Sequence, residues 1–287
     1  MKCGIISDIH SNFFALQTGL EFLKGKIDVL LFVGDVVGYG PQPQECVEAL
    51  VDTPIKKYSC LGNHDLGVRY RYGSRNKDNV QEDFDMIKTF KFRGAAMEML
   101  DRNANEINVT HYKFLKSLKY KQIFTLEGMN MYLVHGTPSD NLRANVSTYL
   151  RPPPIQRYDL LIHRLEEEND LINSKMIITG HTHQRFIATR DNSSYWSLIG
   201  DKKGGKKSGF PKKFVFEPDE GQIILNPGSI GQPRDGSGGT ISLVILDLEN
   251  YSIEFHDLSY PTKEFYKLTE KKCVQELHSS EFWGNEF

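Results

Sequence analysis

Short apolar runs punctuate the first third of the chain, and each is closed by polar, turn-forming residues. Cys3 to Ile6 leads into Ser7-Asp8-Ile9-His10, Val29 to Val33 into Gly34-Asp35, and Tyr58 to Leu61 into Gly62-Asn63-His64-Asp65. The second run is apolar throughout, the pattern of a strand covered on both faces. Between the runs the spacing becomes helical. Phe13, Leu16, Leu20 and Leu23 share one face after Ser11 or Asn12, either of which can cap, and Gln44 to Val51 follows Pro41 and Pro43 as a short helix. The order β-α-β-α-β predicts right-handed crossovers and a largely parallel sheet. The polar clusters then fall on loops at the sheet's carboxyl edge, where open α/β sheets bind ligands.

From Leu66 to about Gln122 there is no clear strand signal. Phe84 to Leu100 has helical spacing through Ile87, Phe90, Ala95, Ala96 and Met99, and Thr110 opens a further helix carrying Phe114, Leu115 and Leu118. This stretch reads as a helical excursion on one side of the sheet. Ile123 to Leu126 and Met129 to Val134 then predict a hairpin around Glu127-Gly128, ending at His135-Gly136. Pro152-Pro153-Pro154 makes a rigid connector before a helix from about Tyr158 to Glu168, and Met176 to Thr179 is a strand ending at Gly180-His181-Thr182-His183. Beyond it the texture is β: Phe186 to Thr189, Phe214 to Phe216, Ile223 to Leu225, Thr240 to Leu246 and Ser252 to Phe255. Helices between strands early and hairpins late predict an α/β protein with two packed sheets and helices outside. No composition break divides the chain, so residues 1–287 read as one domain.

Composition narrows the class without choosing a chemistry. Of 287 residues, 39% are hydrophobic and 25% charged, which suits a globular protein with a core of its own. The formal net charge of −2 gives no global pull toward nucleic acid or an anionic membrane. The apolar runs fall far short of the roughly 20 residues of a membrane span. Met1 to Ser7 reads as the first strand rather than a cleavable leader, so a cytoplasmic protein is expected. The four cysteines, Cys3, Cys46, Cys60 and Cys273, form no Cys-x-x-Cys pair and give no zinc or redox signal, and Cys3 and Cys60 are expected to be small buried residues.

The candidate chemistry lies at the strand ends: Asp8 and His10, Asp35, Asn63 and His64, His135, then His181 and His183. Each alone has an ordinary explanation, since Asp after a strand caps helices and a lone His is usually structural. Together, at five successive strand ends, they point to a metal centre. Asp8-x-His10, Gly34-Asp35, Gly62-Asn63-His64-Asp65, His135-Gly136 and Gly180-His181-x-His183 resemble, in order, the motif set of the calcineurin-like metallophosphoesterases. Asn226-Pro-Gly-Ser-Ile-Gly-Gln-Pro-Arg-Asp235 resembles a further mark of the small prokaryotic phosphoesterase branch. Two departures stand out. Ser11 replaces a common Gly after Asp-x-His, and the segment from about 191 to 221 is longer than the hairpin expected there, so it is read as an insertion.

The resemblance implies a four-layer α/β/β/α sandwich of two packed mixed β-sheets flanked by helices, and two divalent metal ions, Mn first, with Fe, Ni, Co or Zn also suited to mixed nitrogen and oxygen ligands. Asp8, His10, Asp35 and His183 would hold one ion. Asp35, Asn63, His135 and His181 would hold the other, with the two carboxylate oxygens of Asp35 bridging them. The implied reaction is hydrolysis of a small phosphodiester or phosphomonoester, a nucleotide among the candidates, by a hydroxide between metals roughly 3.5–4 Å apart. His64 would stabilise the phosphoryl oxygens or protonate the leaving group, with Asp65 orienting it.

Weaker signals surround this set. Arg234 could grip a substrate phosphate, and Asn12 could reach a substrate oxygen, although capping is the better reading. Asn226 and Ser229 read first as turn formers. Tyr70, Arg71, Tyr72 and Arg75 could line the cleft. The six lysines from Lys202 to Lys213 read as a solvated tip or a basic flap, beside Trp196, Phe210 and Phe214. His111, His163, His256 and His278 read as structural or exposed. Two other functions stay open: a protein serine/threonine phosphatase, and a catalytically silent scaffold like the retromer subunit of this fold. Retention of all seven ligands and His64 argues against the scaffold.

Overall fold

A computed structural model of the protein describes residues 1–88, 92, 94–136, 173–190, 197–199, 211–233, 240–279 and 283. The chain opens as expected. Strands β1 (Lys2–Ile6), β2 (Val29–Phe32) and β3 (Lys56–Ser59) alternate with helices α1 (Phe13–Leu23) and α2 (Pro43–Asp52). Asn12 caps α1, its Oδ1 accepting the N–H of Ala15, and Pro43 opens α2, where a missing N–H costs nothing. The strands pair in parallel, β1 with β2 and β2 with β3.

The helical excursion follows, as α3 (Asn63–Arg75), α4 (Gln81–Ile87), α5 (Ala95–Glu106) and α6 (Val109–Ser117). The helical spacing over 84–100 resolves into two helices: α4 ends at Ile87, and α5 begins after Gly94, whose φ of +51° lies outside helical geometry. Arg69 on α3 forks onto Asp83 on α4 in a buried bidentate pair, Nε to Oδ2 at 2.9 Å and Nη2 to Oδ1 at 2.5 Å. Tyr70 packs against Phe84, and Tyr72 against Tyr112. Arg71 and Arg75 both bind Asp101 on α5. These four side chains therefore knit the helices together, correcting their expected place along the cleft.

The hairpin of β4 (Lys121–Leu126) and β5 (Met129–Val134) turns through Glu127 at φ +47° and Gly128 at φ +77°, a left-handed pair matched to strand twist. The later strands are β6 (Met176–Ile178), β7 (Arg185–Arg190), β8 (Ser197–Ile199), β9 (Lys213–Val215), β10 (Gln222–Pro227), β11 (Thr240–Asp247) and β12 (Ser252–Ser259), followed by α7 (Thr262–Lys272). The proline connector, the helix expected over 158–168, and most of the 191–221 segment lie outside the described residues. Strand β8 and helix α7 were not signalled by the sequence pattern.

Two mixed six-stranded sheets result, ordered β3-β2-β1-β11-β12-β9 and β4-β5-β6-β10-β7-β8. This mixing is as expected: in the first sheet β1, β2 and β3 pair in parallel, as the β-α-β-α-β order predicts, and β11 joins the free edge of β1 antiparallel. Alternation along each strand divides the core. Cys3, Ile5, Val29, Leu31 and Val33 face the second sheet, meeting Met131, Leu133, Met176, Ile178 and Leu225. Ile6, Leu30 and Phe32 point the other way, onto Leu16 and Leu23 of α1 and Val47 and Leu50 of α2. Each such fully buried Val, Leu or Ile contributes roughly 1.5–3 kcal/mol. All four cysteines are free and buried. No helix among the described residues is long and apolar enough to cross a membrane.

Candidate metal centre

The carboxyl ends of β1, β2, β3, β5 and β6 converge, so two sheets deliver their terminal polar groups to one place. Continued ladder bonds hold the loops in register. The N–H groups of Asp8, Ile9, His10 and Ser11 donate to the carbonyls of Gly34, Asp35, Asp35 and Val36, and Gly180 N–H donates to His135 O. Asp8, His10, Ser11, Asp35, His181 and His183 all have positive φ, between 49° and 66°. Left-handed backbone at non-glycine residues costs roughly 1–2 kcal/mol each, and such strain concentrates at functional sites.

Eight of the sequence-selected residues meet here. Nε2 of His10 lies 2.9 Å from Nε2 of His183, and Asp8 Oδ1 lies 3.4 Å from the latter and 3.8 Å from the former. On the other side, Asn63 Oδ1 is 2.9 Å from His181 Nδ1 and 3.2 Å from His135 Nε2. Oδ2 of Asp35 stands between the groups, 3.7 Å from His10 Nε2 and 3.2 Å from His135 Nε2. One oxygen of Asp35 thus faces both sides. The other, Oδ1, accepts the backbone N–H of His64 at 2.8 Å.

The hydrogen bonds behind the imidazoles fix their tautomers. His135 Nδ1 is 2.7 Å from Val33 O, and His183 Nδ1 is 2.6 Å from Gln232 O. A carbonyl only accepts, so each Nδ1–H donates, and the neutral ring turns a lone pair inward on Nε2. Those lone pairs face carboxylate and amide oxygens, an arrangement that repels unless a proton or a metal cation lies among them. Charge balance says the same. Burial depresses the His135 imidazole, but Asp35 and Asp8 outweigh it and lift the ring to about 10. Burial would raise Asp35, yet His135, His64 and His10 together hold it well below the usual carboxylate range. The donor set therefore fits a divalent cation, and the subsets Asp8-His10-His183 and Asp35-His135-His181 are each close enough to share one.

Supporting residues explain why the ligand-type groups point inward. Ser7 Oγ donates to Asp8 Oδ2 at 2.6 Å, and His181 N–H donates to both Asp8 oxygens. Asn226 clamps the 180–182 loop, donating to Gly180 O and Thr182 Oγ1, while Ser229 Oγ donates to Asp8 O. Asn226 and Ser229 are thus buttresses of the centre as well as turn formers. A Cβ on Gly62 would collide with Asp35 Oδ1, and one on Gly34 would lie 2.7 Å from His135 Nδ1. Those glycines are there for close approach. Ser7 sits beside Asp8 and was open to notice, whereas Gln232 acts through its carbonyl and left no side-chain signal.

His64 and Asp65 part company. Asn63 and His64 begin α3 rather than a loop, and Gly62 is the residue before it. The His64 ring packs against Tyr39 (centroids 4.5 Å), His10 (4.8 Å) and Phe92 (5.3 Å). Asp65 does not orient it, contrary to expectation. Its Oδ2 accepts the N–H groups of Asp35 (2.8 Å) and Gly62 (3.0 Å), and its Oδ1 that of Val37 (3.2 Å). Burial and the charge of Asp35 push Asp65 up to about 7 against the N–H groups of Gly62 and Val37. Asn12 likewise spends both ends of its amide inside the fold, on Ala15 N–H and Gly231 O, and is fully buried. Capping, not substrate contact, accounts for it. Arg234 lies outside the described residues.

Comparison with known proteins agrees with this picture. Residues 1–251 match the calcineurin-like phosphoesterase superfamily domain. An uncharacterized protein of Methanocaldococcus jannaschii is 29% identical over 274 residues, covering 95% of this chain and 93% of its own length. A metallophosphoesterase from Sphaerobacter thermophilus has a similar fold, with a TM-score of 0.68 at 22% identity over 99% of both chains. So does a hypothetical protein from Pyrococcus horikoshii OT3, with a TM-score of 0.70 at 16% identity over 100% of this chain and 99% of that one.

Proposed function

The chain belongs to the calcineurin-like phosphoesterase superfamily, and on that footing we propose that it hydrolyses a small phosphate monoester or diester at a centre of two divalent metal ions. Asp8, His10, Asp35 and His183 would hold one ion, and Asp35, Asn63, His135 and His181 the other. The observation that carries this reading is the position of Asp35 Oδ2, within 3.7 Å of His10 Nε2 and 3.2 Å of His135 Nε2, so that one carboxylate oxygen serves both groups. When bound, divalent metals polarise phosphoryl oxygens and lower the pKa of bound water.

The chain's own residues set the rest. Asp8 and Asp35 bring two negative charges, and the His and Asn ligands are neutral when bound. Two divalent cations would therefore leave a positive surplus that draws in a phosphate. His64, next to ligand Asn63 and walled by Tyr39 and Phe92, is the group placed to pass a proton to the leaving oxygen. Asp65 has a positioning role, holding the backbone of Asp35.

The experiment is hydrolysis of bis-(p-nitrophenyl) phosphate and p-nitrophenyl phosphate by metal-stripped protein, with Mn, Ni, Zn and Mg restored separately. Restored cleavage is expected, and the preference between the two esters reads out the substrate class. A folded protein that binds none of the four metals would overturn the reading.

A further inference from the structure

The helical excursion meets the proposed centre through one side chain. Asn103 lies on α5 and is only 1% exposed, yet all of its amide is used on two loops far away in sequence. Its Oδ1 accepts Ser11 Oγ at 2.8 Å and Gly38 N–H at 2.8 Å, and its Nδ2 donates to Gly40 O at 3.3 Å. Ser11 follows His10 and holds φ +55°, and Gly40 N–H donates back to His10 O. Gly38, at φ +117°, carries no side chain because the rings leave no room. A Cβ there would stand 2.5 Å from His64 Nδ1 and 3.0 Å from His10 Nδ1. The backbone that Asn103 holds is therefore the floor on which both imidazoles rest.

We propose that Asn103 is the positioning residue of His10 and His64, clamping the 10–11 and 38–40 loops so that both rings keep their place at the centre. The proposal rests on the metal-centre reading for its functional consequence, but not for its geometry. Its reach is one-sided. The hydrogen bonds of Asn103 go to Ser11, Gly38 and Gly40, and none reaches Asn63, His135 or His181, which belong to the other group of ligands.

That asymmetry separates positioning from general support of the fold. An Asn of this kind has two jobs, accepting from Ser11 and Gly38 and donating to Gly40. Asn103→Leu removes both, and Asn103→Asp keeps the acceptor while removing the donor. Ser11→Ala cuts the arm to the His10 loop alone. Outer partners of metal ligands typically matter by about 10–100-fold in metal affinity or activity.

The first measurement is the ring N–H and C–H spectrum of histidine-labelled, metal-free protein. In Asn103→Leu the signals of His10 and His64 are expected to shift, with those of His135 and His181 unchanged. Metal titration follows, expected to show one of two equivalents weakened by about 10–100-fold and the other intact. Ser11→Ala should move His10 alone, and Asn103→Asp should fall between wild type and the leucine variant. Histidine spectra unchanged in Asn103→Leu, or all four rings shifted alike, would overturn the proposal. Should the leucine variant not fold, the comparison of Ser11→Ala and Asn103→Asp with wild type decides by the same criterion. Wild-type protein that binds no metal would instead overturn the metal-centre reading and leave the spectral test standing.

Discussion

Asp35 gives one carboxylate oxygen to the backbone N–H of His64 at 2.8 Å, and this single bond turns the other oxygen toward His10 and His135. A helix N-terminus is an anion site, so the first turn of α3 aims the carboxylate as well as supplying Asn63 and His64. Asp35→Asn keeps an oxygen for that N–H but presents an NH₂ group, uncharged and without a lone pair, to the imidazoles. Metal content and turnover are expected to fall together to background, with far-UV circular dichroism unchanged. Normal turnover would remove Asp35 from the centre.

His64 tests the division of labour between holding metal and moving protons. His64→Ala should retain its metal, while kcat falls by about 10²–10⁴-fold. His10, Asp35 and His64 also lie close enough to share an ion. Elemental analysis of the variant therefore decides, and loss of one metal equivalent would make His64 a ligand instead.

Asp65→Ala would leave the N–H groups of Gly62, Asp35 and Val37 without their carboxylate, and a buried donor so stranded costs about 1–3 kcal/mol. The expected result is a lower melting temperature and weaker metal binding, because the loop at Asp35 loses its tie. The pH dependence of kcat in the surviving activity should keep the wild-type limbs. A displaced limb would show that Asp65 tunes His64 after all.

The Arg69–Asp83 pair makes the opposite prediction. Asp83→Ala leaves a buried guanidinium without its partner, at a cost of about 3–5 kcal/mol. Arg69 also donates to Tyr120 Oη and Leu115 O, so α3, α4 and the end of α6 loosen together. Chemical denaturation should show the loss, while metal stoichiometry in the folded protein stays at the wild-type value. A change in stoichiometry would mean that the excursion reaches the centre by this route too.

The sequence by itself determined the strand ends and what they carry. Apolar runs closed by Asp8, Asp35, Asn63, His135 and His181 are local patterns, and period-two or helical spacing is set by backbone geometry that a few consecutive residues reveal. The β4–β5 hairpin, the cap at Asn12 and the burial of Cys3 and Cys60 were legible for the same reason. What only the tertiary structure decided depends on partners distant in the chain. β11 found the edge of β1 as its partner, Arg71 and Arg75 turned to Asp101, and Asp65 turned from His64 to the backbone of Asp35. Asn103 gave no sign at all, since a polar residue on a helix reads as surface until the fold lays two loops against it. Side-chain identity limits which bonds a residue can make, but burial obliges it to satisfy them with whichever groups the fold brings near, and only packing fixes those groups.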